Sequence, residues 1–466
     1  MTTAQTADPS TVQHELAEAQ VERGLRISVV EGLFATGHLA LTGGMFLVGL
    51  ALLLGATPFQ IGLLAAVPCA ATVFSLLSSP LVRRLGARRG LVVWTSGIGR
   101  AVFLVLVPLL LFRAGVGIGT LLAVVVGYNV LLAIANTSWN SWMSDLVPER
   151  RRGRFFGMRN AVLGAVAMAL TYAGGRALDW FKTFDQEAGY GVAIGVGVLC
   201  GLGSTVLLSR QPEPRLVPRP KVAFRERVIG PLQEPQFRRL TVFMAVWFVT
   251  GTLASPFYLA HLIKNIEFPY TLVGVYAVFG GTTGILFQFA WGWVIDRFGP
   301  KPVTVVCFAL VGIMPLLWLL ATSTFRLPIW IDGVLNGVAW TGANLGLLNM
   351  VLGIGDNPVR KESYFAIFAM VVGLATFVAS MVGGGVAQLL AGMHLRVLGR
   401  EFVNYHVLFL VTGVLRFACL PLLVRVEERR SRKVVKTIRI LGTFALSRLN
   451  YGKGIFLQAL RARSRG

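Results

Sequence analysis

The chain has 466 residues, of which 55% are hydrophobic and 14% are charged, with a mean hydropathy of +0.68. Soluble domains carry about 25% charged residues, so this composition excludes a soluble globular protein, and its hydrophobicity excludes a disordered chain. A net charge of +23 would suggest a nucleic-acid partner in a soluble protein, but here the Lys and Arg residues lie in loops and after Glu428, as in membrane proteins.

Twelve apolar runs follow one another along the chain, and most are long enough to cross a hydrocarbon layer of roughly 30 Å as a helix. They cover residues 27–54, 59–81, 90–112, 116–144, 158–178, 190–208, 239–262, 271–294, 302–322, 327–354, 363–391 and 404–426. Each is predicted to be a transmembrane helix, because lipid offers no hydrogen-bond partner to an unpaired backbone. The sequence therefore predicts an all-α polytopic membrane protein.

The basic residues of the short loops lie on one side of these runs, and the positive-inside rule then puts both termini in the cytoplasm, at the inner (plasma) membrane. A proline-rich stretch divides the runs into two halves of six. The predicted organisation is a cytoplasmic segment at 1–26, a six-helix bundle at 27–208, a linker at 209–238, a second bundle at 239–427 and a basic tail at 428–466. Apolar residues recur in the tail at helical spacing, which predicts a helix lying on the membrane surface; a solvated, disordered tail is the alternative.

The two halves repeat one another. Ser79–Gly86 after the second run aligns with Gly292–Gly299 after the eighth, and Asp145–Arg150 aligns with Asp356–Arg360. The loop Gly292-x-x-x-Asp296-Arg297-x-Gly299-x-Lys301 resembles the signature loop of the major facilitator superfamily of secondary transporters, and so does Pro148–Gly157. The resemblance implies two pseudo-symmetric six-helix bundles, alternating access to a site near the membrane midplane, and a central cavity lined by helices 1, 4, 7 and 10.

The same resemblance implies that loop carboxylates lock one conformation. Asp296 occupies the acidic position of the signature in the second half, whereas Arg83 replaces the acid in the first half. The predicted lock residues are Arg84, Arg88, Asp145, Asp296, Arg297 and Asp356. Within this set, either Arg84 or Arg88 is expected to hold Asp145, and Arg297 to hold Asp356.

Ionisable residues inside the spans are few, and each costs several kcal/mol unless it is paired or faces water. Glu31 and Arg100 lie at similar depths, so they form either a permanent structural pair or a proton carrier that Arg100 engages in one conformation. His38 shares a helical face with Glu31 and would extend such a proton path. Asp332 is either a first-turn carboxylate or part of a cavity stripe, and Arg416 is expected either to serve packing or to bind backbone carbonyls.

Amide and aromatic side chains on the cavity helices suggest a small neutral or amphiphilic solute, although packing and interhelical hydrogen bonds account for many such residues. The candidates are Tyr128, Asn129, Asn136, Tyr258, Asn336 and Trp340. The sequence shows no hydrolase triad, nucleotide motif or metal-ligand spacing, so no enzyme activity, cofactor, metal or nucleic-acid partner is expected. We expect a monomeric transporter with protons as a candidate coupling ion; a transport-inactive scaffold or sensor that recruits partners through its tail is the alternative.

Overall fold

The computed structural model describes residues 18–215, 232–353, 358–397 and 400–426. This part of the chain holds twelve long helices: α1 (Glu18–Leu53), α2 (Pro58–Leu85), α3 (Arg88–Leu111), α4 (Ile118–Leu146), α5 (Glu149–Phe181), α6 (Gln186–Ser209), α7 (Pro235–Lys264), α8 (Tyr270–Phe298), α9 (Pro300–Trp318), α10 (Leu327–Gly353), α11 (Pro358–Leu389) and α12 (Asn404–Val424). Eleven of them are long and apolar enough to cross a membrane. The exception, α10, has 27 residues but carries Asp332 and three asparagines. The predicted polytopic helical fold is confirmed.

The helix ends differ from the predicted spans because an apolar run marks only the lipid-facing part of a helix. Helix α5 already begins at Glu149 and α7 at Pro235, and α1 is helical from Glu18, the first residue that the structure describes. A short antiparallel hairpin, β1 (His394–Val397) and β2 (Arg400–Val403), connects α11 to α12 and was not predicted. The predictions for Asp356, residues 1–17, residues 216–231 and the tail at 428–466 lie outside the described residues.

Helices α1 and α7 are both interrupted at corresponding points of the two repeats. The break in α1 follows Thr42, and Gly44 has a φ of +51°, a conformation that side chains disfavour. The first part of α7 ends at Thr252 and the second begins at Ser255, next to Pro256. Discontinuous helices of this kind border the substrate sites of many transporters.

Helices α1–α6 form the first bundle and α7–α12 the second. Within the first, α1 packs on α5 and α6, and α3 packs on α4 and α6. Within the second, α10 packs on α8 and α9, while α12 packs on α7 and α9. The bundles touch chiefly through two helix pairs, α2 with α11 and α5 with α8.

Among the described residues, the two bundles share a hydrophobic core at one end only. We call the end that carries β1 and β2 the hairpin end, and the end where residues 210–215 leave α6 the linker end. At the hairpin end one hydrophobic core joins both bundles, with Phe46 and Tyr190 from the first and Phe257 and Tyr270 from the second. At the linker end each bundle has a core of its own. The structure is therefore closed at the hairpin end and open at the linker end.

Glycines allow the close approach at the hairpin end. A Cβ atom on Gly62 of α2 would lie 2.6 Å from the Ser380 carbonyl oxygen and 2.9 Å from Cα of Gly384 in α11. A Cβ on Gly274 of α8 would lie 2.8 Å from Cα of Tyr172 in α5. Because backbone rather than flexible side chains opposes these positions, any larger residue must push the helices apart.

Gly62→Ala is therefore expected to shift the protein towards conformations open at the hairpin end. Spin labels on Phe184→Cys and Leu389→Cys, both exposed at that end of opposite bundles, report the change as a longer inter-label distance. Gly119→Ala is the matched control, because its Cβ meets nothing within 4 Å. An unchanged distance in Gly62→Ala would show that this contact does not set the closed state.

Candidate functional site

Each bundle contains a cavity near the space between the bundles. The cavity of the first bundle, about 230 Å³, lies among α1, α3, α4 and α5, and we call it the arginine cavity. The cavity of the second bundle, about 260 Å³, lies among α7, α8, α9, α10 and α12, and we call it the aspartate cavity.

Glu31 lies at the centre of the arginine cavity, between two arginines. Its Oε2 is 3.4 Å from Nη2 of Arg159, and its Oε1 is 3.9 Å from Nη2 of Arg100. The Ser204 hydroxyl donates a hydrogen bond of 2.6 Å to Oε1. The structure thus brings together Glu31 and Arg100, and it adds a second, closer cation.

Both arginines are fixed by backbone carbonyls. Arg159 donates through Nε to the Ser28 carbonyl at 3.1 Å and lies over the Trp139 ring at 5.0 Å. Arg100 donates through Nη1 to the Gly201 carbonyl at 3.2 Å and to the Thr205 hydroxyl at 3.1 Å. Arg159 is not among the candidate site residues of the sequence analysis; it is the second residue of the predicted span 158–178, whereas α5 begins at Glu149 and places it almost three turns into the helix.

His38 does not line either cavity, contrary to the expected proton path. Its Nδ1 donates to the Gly197 carbonyl at 3.0 Å, because α6 covers the face of α1 that bears it. Its ring packs on Phe103 and on Tyr128 at 5.3 Å. Tyr128 is likewise buried in this aromatic group and lines neither cavity.

The two candidate asparagines of α4 also differ in whether they line the arginine cavity. Asn129 donates to the Val125 carbonyl of its own helix at 2.8 Å and does not line the arginine cavity. Asn136 is exposed and lines this cavity.

Asp332 lies in the aspartate cavity, at the sixth position of α10, and is buried. The Tyr276 hydroxyl donates to its Oδ2 at 2.6 Å. Within the described residues, Oδ1 of Asp332, the hydroxyl of Tyr258 and Nε of Arg416 have no hydrogen-bond partner. Asp332 is therefore a cavity residue rather than a solvated carboxylate of the first helical turn.

Arg416 reaches this cavity while binding backbone, as the sequence suggested. It donates to the Val311 carbonyl at 2.8 Å and to the Gly251 carbonyl at 3.0 Å. The other cavity residues are Ser255, Tyr258, Tyr276, Met314, Trp318, Asn336 and Trp340. Aromatic walls combined with convergent polar groups suit a small organic molecule. In the part of the chain that the structure describes, no cluster of three His, Cys, Asp or Glu residues is placed to hold a metal ion.

At the linker end, Arg88 rather than Arg84 holds Asp145. Arg88 is buried and forms an ion pair with Asp145, whereas Arg84 is exposed and does not contact Asp145. Glu213, just after α6, accepts from the backbone N–H of Arg88 at 2.5 Å and of Arg89 at 3.1 Å. Glu213 therefore caps the N-terminus of α3, a role that the sequence analysis missed.

The corresponding residues of the second half are placed differently. Asp296 and Arg297 are exposed, and Arg297 lies 5.5 Å from the centre of the Trp293 ring. Among the described residues Asp296 forms no ion pair. The lock between Arg297 and Asp356 stays a prediction.

The polar contact between the bundles lies at the hairpin end, and it was not predicted. Asp179, near the end of α5, accepts from the backbone N–H groups of Tyr270 at 2.9 Å and Thr271 at 2.7 Å, and from the Thr271 hydroxyl at 2.5 Å. The Tyr190 hydroxyl donates to the Tyr270 hydroxyl at 2.8 Å. We call these residues the hairpin-end latch, because they join α5 and α6 to the N-terminus of α8.

Comparison with known proteins identifies the family of this chain. The family model of the Major Facilitator Superfamily matches residues 32–352 and 240–459. This chain belongs to the Major Facilitator Superfamily. A search of curated protein sequences finds no match. The fold of this superfamily transporter is also that of several solved structures.

A crystal structure of a mutant of the nucleoside transporter NupG is similar with a TM-score of 0.67 and 13% identity, over 86% of this chain and 99% of that one. A bacterial homologue of the iron transporter ferroportin, in an inward-facing state, has a TM-score of 0.66 and 14% identity, over 88% and 99% of the two chains. A bacterial homologue of the human lysosomal transporter Spinster, inward-facing and unoccupied, has a TM-score of 0.58 and 13% identity, over 88% and 95%. At these identities the likeness establishes the fold alone.

Proposed function

We propose that this superfamily member is a secondary active transporter that moves a small amphiphilic solute by alternating access. The observation that carries the proposal is the pair of cavities with buried charged residues, one in each bundle. In the described part of the chain, the bundles share a hydrophobic core only at the hairpin end. Rocking about that joint would expose the cavities alternately at the two ends.

The orientation follows from the loop charges. Arg83, Arg84, Arg88 and Arg89 lie together at the linker end, as do Arg150, Arg151, Arg152 and Arg154. The positive-inside rule then puts the linker end in the cytoplasm. The state described here is thus open to the cytoplasm, in the plasma membrane of the cell.

Protons are the proposed coupling ion, with Glu31 and Asp332 as the candidate carriers. Glu31 contacts two arginines on other helices, so a movement of α3 or α5 would change its electrostatic surroundings. Asp332 has one oxygen without a partner among the described residues. A carboxylate whose surroundings alternate between two conformations is what proton coupling requires.

Purified protein in liposomes tests the transport proposal. Solutes are first chosen by thermal stabilisation, since a ligand at 100 times its dissociation constant stabilises the folded state by about 2.7 kcal/mol. We expect a stabilising solute to accumulate in the liposomes when a pH gradient is imposed. If stabilising solutes are found and none crosses the membrane, the alternative of a transport-inactive scaffold or sensor is favoured.

The proposed conformational lock in the signature loops yields a separate prediction. Asp296→Asn is expected to reduce transport strongly, whereas Arg83→Ala has a mild effect, because only the second half keeps the acidic residue of the family signature. Arg83 is exposed, and its one hydrogen bond to a described residue is to Ser79, at 3.4 Å. Initial uptake rates at matched expression test this, and equal rates for Asp296→Asn and wild type would remove the lock.

A further inference from the structure

The charges that line the arginine cavity do not balance. The lining contains three charged side chains, those of Glu31, Arg100 and Arg159, which are only 4%, 6% and 8% exposed. Arginine does not lose its proton in proteins, so two guanidinium groups face one carboxylate. One positive charge is left without a counter-charge in a region where an unpaired charge is costly.

The arginines also keep unused donors. Arg159 donates through Nε and Nη2, and its Nη1 donates to no group in the described part of the chain. Within the described residues, Arg100 donates through Nη1 alone, since its Nη2 is 3.9 Å from Glu31, beyond hydrogen-bond distance. Buried guanidinium groups normally find acceptors for most of their N–H groups. The arginine cavity thus offers a ligand both an uncompensated positive charge and guanidinium N–H groups that are free to donate hydrogen bonds.

The second cavity provides an internal contrast. Among the described residues, the charged side chains that line the aspartate cavity are those of Asp332 and Arg416, one of each sign. Its charges therefore cancel, and it offers an anion no electrostatic advantage. The excess positive charge belongs to the first bundle alone.

We propose that the arginine cavity binds the carboxylate of a small organic monoanion, and that this monoanion is the solute that the protein transports. The inference rests on the proposed function and names its substrate class. A carboxylate neutralises the single excess charge and accepts from a guanidinium in bidentate geometry. A phosphate dianion would reverse the charge. The apolar part of the solute would contact Leu132, Leu163 and Trp139, which line the same cavity.

The test measures thermal unfolding of the full-length protein with benzoate, with its neutral analogue benzamide and with benzylamine. Benzoate is expected to raise the melting temperature, and the other two to leave it unchanged. Arg159→Gln removes the excess charge and keeps the Glu31–Arg100 pair, so the variant is expected to fold. It should bind benzoate at least about tenfold more weakly than wild type, which corresponds to the loss of one charge-assisted hydrogen bond. Glu31→Gln doubles the excess charge and is expected to show a larger benzoate-induced shift than wild type.

Arg113→Gln is the control, since Arg113 is an exposed arginine at the hairpin end that pairs with Asp185, and its benzoate shift should equal that of wild type. Arg159→Lys serves if Arg159→Gln is unstable: it keeps the charge but not the bidentate donors, and weaker benzoate binding is again expected. Equal stabilisation by benzoate and benzamide, or unchanged affinity in the Arg159 variant that folds, would overturn the inference.

Liposome assays separate this inference from the proposed function. If benzoate binds with the expected variant pattern but no stabilising solute crosses the membrane, the cavity assignment holds and the transport proposal fails. If a solute is transported at the same rate by Arg159→Gln and wild type, and benzoate does not compete with it, transport holds and the monoanion assignment fails.

Discussion

Glu31→Gln is expected to lower the yield of folded protein sharply. Glu31 is the one acidic residue among the described residues that line the arginine cavity, and the substitution leaves Arg100 and Arg159 buried without this counter-charge. Removing one partner of a buried ion pair costs about 3–5 kcal/mol, a large fraction of the roughly 5–15 kcal/mol that holds a typical domain folded. Fluorescence-detected size exclusion and thermal unfolding measure the loss. Glu401→Gln, in the exposed hairpin, is the control that should leave yield unchanged.

The surviving Glu31→Gln protein then decides between the two roles of Glu31. If the pair with Arg100 is permanent, substrate exchange by folded protein keeps its response to a pH gradient. If Glu31 carries the coupling proton, the variant still exchanges substrate without a gradient but is no longer driven by pH. Unchanged yield together with unchanged pH-driven uptake would contradict both roles and leave Asp332 as the next candidate carrier.

Asp179→Asn is expected to favour the conformation that is open at the hairpin end. The carboxylate of Asp179 accepts three hydrogen bonds from Tyr270 and Thr271, across the boundary between the bundles. Hydrogen bonds to a charged group contribute about 1.5–3 kcal/mol each, so losing the charge of one such acceptor should change the ratio of the two conformations by roughly 10–100-fold. The label pair at Phe184 and Leu389 measures this as a population with a longer distance.

Asp185→Asn is the matched control for this experiment. Asp185 lies at the same end, but its partners, Ala188 and Arg113, belong to its own bundle. The Ala188 N–H and the Arg113 guanidinium hold the pKa of Asp185 below its ordinary value. This variant removes a carboxylate of the same kind without crossing the boundary between the bundles, so it should leave the distance distribution unchanged. Equal distributions in Asp179→Asn and wild type would show that the hairpin-end latch does not stabilise the closed state.

The sequence predicts most of this fold because lipid imposes a simple rule. A helix must be about 20 residues long and apolar to cross a bilayer, and twelve such runs are visible without tertiary information. Hydrophobicity alone does not locate the ends of the helices. Arg159 lies at the very start of the predicted span 158–178, whereas α5 begins at Glu149 and its polar first turns precede that span. Helical continuity from Glu149 is the signal that places it near Glu31.

The predicted site shows what depth along a helix can and cannot indicate. Glu31 and Arg100 are at similar depths, and the structure places them 3.9 Å apart. The same reasoning puts His38 on the face of Glu31, but it contains no information about which helix covers that face. Because α6 packs there through Gly197 and Gly201, His38 is enclosed.

Contacts between segments that are far apart in the sequence are harder to predict from the sequence. Asp179 and Tyr270 are 91 positions apart and belong to different bundles. Neither residue lies in a motif, and an acid at a helix end is usually interpreted as a solvated residue. Only the three-dimensional arrangement shows that one carboxylate accepts from the first N–H groups of α8.

The residues that follow α6 belong structurally to the first bundle. Gln211 is fully buried, the Trp142 ring N–H donates to the Pro212 carbonyl at 3.0 Å, and Glu213 caps α3. Residues 211–213 are thus anchored to the first bundle and must move with it when the bundles rock. Detaching this stretch would uncap α3 and leave the Trp142 ring N–H without its acceptor.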